Sequence, residues 1–241
     1  MKKVAGIIAA GGLVFVQGLF ASEGDWESTI AAGLNVTSGN SETLVANGSV
    51  TAEKAGDVHE IRLGAELNYG ENQVDDDTET TTDNSKAIAV YKYKMGGPYL
   101  YSDNSIFRDD LAEIDYRIII GVGFGYYIIE NDNSKLGLEI GAAYVDEKLN
   151  DGTDDDNISV RIAARHDQKM GEDSKLWLSA EYIPNISDSD DYLLNAEAGL
   201  EASLNASLSL RLVVQDRYDS IVASDRDRND LSVISSLVYK L

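Results

Sequence analysis

The sequence contains no cysteine and only two histidines in 241 residues. The absence of cysteine excludes a disulfide framework and a thiolate metal site. Any imidazole ligand or base must therefore be His59 or His166. Positive charge is also scarce, since 20 Lys and Arg residues stand against 42 Asp and Glu residues and the formal net charge is -22. So negative a chain repels phosphate, which disfavours a nucleic-acid partner.

Long apolar runs are absent after residue 21. Before it, Lys2 and Lys3 precede an apolar segment over residues 4–20, and the small Ala21 precedes a polar stretch. This arrangement predicts a secretory signal peptide over residues 1–21. A membrane-anchoring helix fits less well, because the segment is rich in Gly and Ala and short for a span. An exported chain without a transmembrane helix is either a soluble exported β-protein or an outer-membrane barrel. We interpret residues 22–241 as one domain.

Alternation of apolar with small or charged residues is the main pattern of the sequence, and it is clearest over residues 116–145. One face of the first run there carries Tyr116, Ile118, Ile120, Val122, Phe124, Tyr126 and Ile128. The other face carries Arg117, Gly121, Gly123 and Gly125. A polar turn at 131–133 leads into a second run of the same kind. The alternation is typical of a transmembrane β-hairpin, although a soluble β-sandwich would share it.

About twelve such runs follow one another, and the connections between them alternate in kind. Those after even-numbered runs are short and rich in Gly, Asn and Asp, whereas most of the others are long and acidic, such as 70–84 and 150–156. This asymmetry predicts an all-β fold, an antiparallel transmembrane up-and-down β-barrel of about 12 strands with both termini on the periplasmic side. The last run, 231–241, resembles the terminal strand by which the barrel-assembly machinery recognises outer-membrane barrels.

The inward positions of the predicted strands hold acidic and basic residues in equal numbers, so opposite charges can pair across strands. Turn positions predict a charge ladder that joins Glu139, Arg165 and Glu181 across three strands. It would either satisfy buried charges or form the constriction of a pore. The other predicted lumen residues are Glu60, Arg62, Lys92, Lys94, Arg117, Arg161, Glu197, Glu201 and Arg211.

Metal binding and catalysis receive little support. Asp151, Asp154 and Asp156 are weak candidates for a cation site, but the loop lacks the closing bidentate Glu of a calcium loop. We therefore predict no metal site and no cofactor. Both histidines are expected near the periplasmic rim, the wrong end for a lipid hydrolase of the outer leaflet, so we predict no enzymatic activity.

Several short motifs resemble those of a known family. They are Gly33 with Thr37-Ser38-Gly39-Asn40-Ser41, the segment 107–111 running into Ile114-Asp115-Tyr116-Arg117, and Leu136-Gly137-Leu138-Glu139. In these the chain is similar to the family of salt-induced outer-membrane proteins. The resemblance implies an outer-membrane location and a response to salt, and it supplies no substrate or catalytic residue.

The expected function is therefore that of an outer-membrane barrel, either a small narrow pore or an envelope component with a charge-paired lumen. A non-conducting barrel whose acidic loops bind divalent cations or partners is the alternative, and a soluble periplasmic β-protein ranks lower. Expected surroundings are outer-membrane lipid and lipopolysaccharide. Twelve strands fall between barrels filled by side chains and wide aqueous channels, so conduction stays open at this point.

Overall fold

The computed structural model describes residues 26–37, 42–74, 77–222 and 226–241. Within them, antiparallel strands close into a barrel in which sequential strands are neighbours and β1 meets β12. The strands are β1 Glu27–Thr37, β2 Glu42–Ala55, β3 His59–Val74, β4 Asp77–Lys94, β5 Pro98–Asp109, β6 Ile114–Glu130, β7 Ser134–Leu149, β8 Asp154–Met170, β9 Ser174–Pro184, β10 Tyr192–Ser203, β11 Leu208–Asp219 and β12 Asn229–Lys240. The all-β, twelve-stranded up-and-down barrel is confirmed. The predicted signal peptide at 1–21 lies outside the described residues.

The period-2 alternation of the sequence sorts side chains between the two faces of the wall. In β6, for example, Val122 and Phe124 are exposed on the outside, whereas Tyr127 is buried on the inside. The outer face is apolar along the barrel, which is the surface that a lipid environment requires. No helix in the described residues is long and apolar enough to cross a membrane.

The two ends of the barrel differ. One end, here called the short-turn end, carries the turns 56–58, 95–97, 131–133, 171–173 and 204–207 together with both termini of the barrel. Gly96, Gly97 and Gly171 adopt positive φ in these turns, a conformation that glycine tolerates best. The opposite end, here called the loop end, carries the connections after the odd-numbered strands.

Two acidic segments predicted as loops are partly strand, which corrects the sequence-based prediction. The segment 70–84 continues β3 to Val74 and starts β4 at Asp77, and Asp154 to Asp156 open β8. β4 has 18 residues, whereas about 9–11 suffice to cross a membrane. Polar side chains are compatible with strand pairing beyond the membrane because both faces meet water there. The hairpins therefore extend past the apolar belt.

Candidate functional site

The centre of the lumen is organised around Arg161 of β8, which is only 4% exposed. Its guanidinium bonds Asp103 of β5 at 2.8 Å, Glu139 of β7 at 2.8 Å and Glu181 of β9 at 2.5 Å. Lys92 of β4 adds a second cation, 2.7 Å from Glu139. We call these five residues the Arg161 cluster. It links strands β4, β5, β7, β8 and β9 on one half of the lumen.

Strand register explains why Arg161 occupies this position. Glu139 and Glu181 each lie opposite Ala163 in their own strand pair, so the two carboxylates flank β8 at one level. Arg161, two residues along β8, points inward from the same strand and lies opposite Gly141, which has no side chain in the way. A long guanidinium in that gap reaches both carboxylates and can satisfy several acceptors at once.

The predicted ladder is corrected in its central residue. Arg165 lies opposite Gly137 and Ser179. It bonds Asp167 of its own strand, at 2.8 and 3.0 Å, instead of the two glutamates. The reason is the register of β8 with both of its neighbours. Asp154 already pairs with Lys148 of β7, and Arg165 lies opposite Ser179 of β9 and not opposite Glu181. The shift in register places Ala163, and not Arg165, opposite Glu139 and Glu181, and Arg161 reaches both glutamates from two residues along β8.

A tyrosine cluster packs beside the Arg161 cluster and was not predicted from the sequence. Tyr99, Tyr101 and Tyr127 are all buried, and the rings of Tyr99 and Tyr127 lie 4.5 Å apart. The Tyr99 hydroxyl donates to Glu139 at 3.0 Å, and Tyr127 donates to Glu60 at 2.7 Å. Lys92 lies 4.7 Å over the Tyr99 ring, a cation–π contact.

The glycines of β6 are the sequence signal for these rings. A Cβ at Gly125 would overlap the Tyr99 ring, and one at Gly121 would come within 3.1 Å of the Arg161 side chain. Successive inward glycines therefore mark a stretch of wall that large side chains from nearby strands cover.

Charges at the short-turn end meet at Glu60 of β3. Lys135 of β7 bonds this carboxylate directly, and Lys94 of β4 lies 3.3 Å from it. Lys94 also bonds Glu130 at 3.1 Å. Lys92 lies opposite Glu60 in the ladder of β3 and β4, so the predicted lumen residues Glu60, Lys92 and Lys94 are close to one another.

The wall formed by β9 to β11 carries a second network. Trp177 donates through its indole nitrogen to Glu197 at 2.5 Å. Arg211 bonds Glu201 at 2.8 Å and stacks 5.8 Å from the Trp177 ring. Arg62, the remaining predicted lumen residue, lies opposite Glu53 of β2.

Ion pairs also cross the lumen toward the loop end. Arg117 of β6 bonds both Glu147 of the adjacent β7 and Asp219 at the end of β11. β6 and β11 lie on nearly opposite sides of the barrel. Arg217 of β11 similarly bonds Glu66 of β3 at 3.1 Å. A cavity of about 70 Å³ lies among these side chains.

The candidate metal and histidine residues lie away from these networks. In the described part of the chain, three or more His, Asp or Glu side chains nowhere converge as a metal ion would need. Asp151 instead accepts a hydrogen bond from the backbone of Thr153 at 2.8 Å, and Asp154 and Asp156 are exposed in β8. His59 bonds Tyr91, and His166 bonds Ser134 at 3.0 Å.

Comparison with known proteins assigns the family. Residues 30–241 match the family described as "Protein of unknown function, DUF481". The chain belongs to this family. No curated protein matches the chain in sequence.

Solved structures resemble the chain in fold. The COG4313 outer membrane channel from Pseudomonas putida F1 is 10% identical with a TM-score of 0.52, over 93% of this chain and 98% of that one. The translocator domain of autotransporter NalP from Neisseria meningitidis is 12% identical with a TM-score of 0.51, over 98% and 95%. KdgM porin is 11% identical with a TM-score of 0.46, over 89% and 98%. The DUF481 chain thus has the fold of outer-membrane β-barrels.

Proposed function

We propose that this DUF481 protein is an outer-membrane channel that passes small ions through a narrow, charge-lined lumen. The observation that carries the proposal is the run of ionised side chains at three levels inside the barrel: Arg117 toward the loop end, Arg161 in the middle and Glu60 at the short-turn end. Charges are costly in a dry interior and far less so where water and ions reach them. A hydrated lumen therefore suits this inner surface better than a sealed one.

Cation preference follows from the charge of the loop end. The acidic residues there include Asp151, Asp154, Asp155, Asp156, Asp188, Asp190 and Asp191. A mouth lined by carboxylates concentrates cations and repels anions. In the Arg161 cluster, three carboxylates face two cations, which keeps the middle of the lumen acidic.

A non-conducting barrel is the second candidate, and a specific observation favours it. The Arg117–Asp219 and Arg217–Glu66 pairs join strands from different sides of the wall and obstruct the lumen. In that case the acidic loop end would serve to bind divalent cations or a partner. Conductance separates the two candidates.

The same proposal places the barrel in the outer membrane, surrounded by lipid and lipopolysaccharide, inserted by the barrel-assembly machinery through β12 and without enzymatic activity. The apolar outer face supports this placement. The response to salt implied by the family resemblance is part of the proposal, and a rise in protein level with external salt would support it.

The test uses the mature chain refolded in detergent. Faster migration of unboiled protein in gel electrophoresis identifies the folded barrel, and the same sample is then recorded in planar bilayers. Discrete conductance steps with a cation-selective reversal potential support the channel. A folded barrel without conductance supports the second candidate.

A further inference from the structure

One part of the outer face departs from its apolar pattern. Ser102 and Asn104 of β5 lie opposite Val122 and Ile120 of β6 in the ladder, and directly opposed residues of an antiparallel pair share one face of the sheet. Val122 and Ile120 are 53% and 47% exposed on the lipid side. Ser102 and Asn104 therefore lie on the lipid side as well.

These two polar residues lie near the middle of the stretch of β5 that crosses the membrane. β5 has 12 residues, close to the length of about 9–11 residues that spans a bilayer. Leu100 and Ile106 flank the polar pair in the outward row and are 40% and 49% exposed. On β6, the outward row carries Tyr126 on one side of this level and Tyr116 on the other, as the two aromatic belts of a barrel require. The polar pair is therefore at the depth of the hydrocarbon.

Hydrogen bonds within the wall satisfy only part of this polar pair. The side-chain nitrogen of Asn104 donates to the backbone carbonyl of Ala89 at 3.2 Å and to the Ser102 hydroxyl oxygen at 3.0 Å. These two bonds use both amide hydrogens. One acceptor, the Asn104 Oδ1, and one donor, the Ser102 hydroxyl hydrogen, remain for a group outside the barrel.

Small residues surround the polar pair on the side of β4. Ala89 lies opposite Asn104, Ala87 lies opposite Ile106 of β5, and Ala65 of β3 lies opposite Ala87. We call Ala65, Ala87, Ala89, Ser102 and Asn104 the β5 patch. Its side chains are short, and short side chains let two membrane-embedded backbones approach closely.

Lipid cannot complete the hydrogen bonds of the β5 patch, because hydrocarbon offers neither donors nor acceptors. A second copy of the chain offers both. Copies inserted in the same direction are related by a two-fold axis along the membrane normal, and such an axis brings one surface patch against its own equivalent. With the axis between Ser102 and Asn104, the free donor of each copy meets the free acceptor of the other.

We propose that the β5 patch is the interface of a homodimer that two copies of this chain form within the membrane. The Ser102 hydroxyl of each copy donates to the Asn104 Oδ1 of the other, and the alanines allow the two barrel walls to approach. Each copy keeps its own lumen, so this inference is independent of whether the lumen conducts ions.

Cross-linking of the refolded protein in vesicles tests the interface, because the chain has no native cysteine. The test variant is Ala89→Cys, within the β5 patch. The matched control is Ala198→Cys, at an outward alanine of β10 on the other side of the barrel. In folded, heat-shiftable protein at a high ratio of lipid to protein, a bis-maleimide should convert Ala89→Cys to a covalent dimer and should give Ala198→Cys only the background of random collisions. Equal yields for the two variants would overturn the interface.

The polar pair is tested in the Ala89→Cys background by following the yield of covalent dimer as the protein is diluted with lipid. Asn104→Leu should raise the dissociation constant of the dimer about tenfold, the factor expected for polar contacts between membrane segments. The matched control is Leu212→Ile, at an outward residue of β11, and it should leave the dissociation constant unchanged. An unchanged constant in folded Asn104→Leu protein, or an equal increase in the control, would contradict the proposal.

Discussion

Arg117 on β6 and Asp219 at the end of β11 are ion-paired across the lumen, although they come from nearly opposite sides of the wall. Both side chains are mostly buried. Removing one partner leaves the other charge without its counterion, so the pair should be energetically coupled. In a double-mutant cycle of Arg117→Gln and Asp219→Asn, we expect a coupling free energy of about 1 kcal/mol or more in denaturant unfolding.

A second cycle provides the control. Arg108 and Asp110 form an exposed pair two residues apart, at 2.7 Å. Exposed pairs contribute little, so Arg108→Gln with Asp110→Asn should give a coupling below about 0.5 kcal/mol. Equal coupling in the two cycles would show that the cross-lumen pair has no special role in the barrel.

Arg161 should matter far more than Arg165. Arg161→Gln removes the guanidinium shared by Asp103, Glu139 and Glu181. We expect a loss of about 3 kcal/mol in the free energy of unfolding, since mutually repelling carboxylates lose their counterion. Arg165→Gln breaks one pair with a partly exposed Asp167 and should cost about 1 kcal/mol or less. Chemical unfolding of the folded barrels measures both. A larger loss for Arg165→Gln would restore the ladder predicted from the sequence.

The inward glycines of β6 should not tolerate a side chain. A Cβ at Gly125 would overlap the buried ring of Tyr99, and overpacking of this kind costs about 1–3 kcal/mol. Gly125→Ala should lower the midpoint of urea unfolding accordingly. The matched control is Gly48→Ala, where the nearest atom would be 4.0 Å away, with an expected change within about 0.5 kcal/mol. Equal effects would mean that Tyr99 is free to leave this position.

Asp216 is expected to destabilise the barrel in lipid. Its register opposite Ala196 and Leu231 places it on the outer face, and one carboxylate oxygen is buried without a hydrogen-bond partner among the described residues. Charged side chains on the lipid face are unfavourable. Asp216→Leu should therefore stabilise the barrel in vesicles by about 1 kcal/mol or more, whereas Asp132→Leu in an exposed turn should change it by less than about 0.5 kcal/mol. Destabilisation by Asp216→Leu would reveal a partner for this carboxylate in the membrane.

The number of strands and the direction of their side chains were readable from the sequence because alternation has a fixed period of two. Apolar residues such as Val122 and Phe124 specify the outside regardless of how strands are aligned. Register depends on where a turn begins, and the acidic residues from Asp154 onward read as loop although they extend β8. That error moved the shared cation from Arg161 to Arg165.

Sequence patterns did not predict the contacts between strands that are far apart in the barrel. The pair Arg117–Asp219 joins residues 102 positions apart. The position of a turn predicts only which residues of two adjacent strands lie opposite each other, so it does not relate these two residues. The pairing between β1 and β12 ends at Ala32 and Leu237. It likewise depends on the contact between the first and last strands at Gly33, where the Ser235 carbonyl lies close to the β1 backbone. Both features belong to the three-dimensional closure of the barrel.

Single-channel recording of the refolded protein in planar bilayers tests the proposed function most directly. A narrow cation-preferring lumen gives discrete steps and a cation-selective reversal potential in a salt gradient. Arg161→Gln should increase cation selectivity, because the carboxylates of Asp103, Glu139 and Glu181 remain, and Arg165→Gln should leave it nearly unchanged. Folded, heat-shiftable protein that never produces a conductance step would contradict the channel.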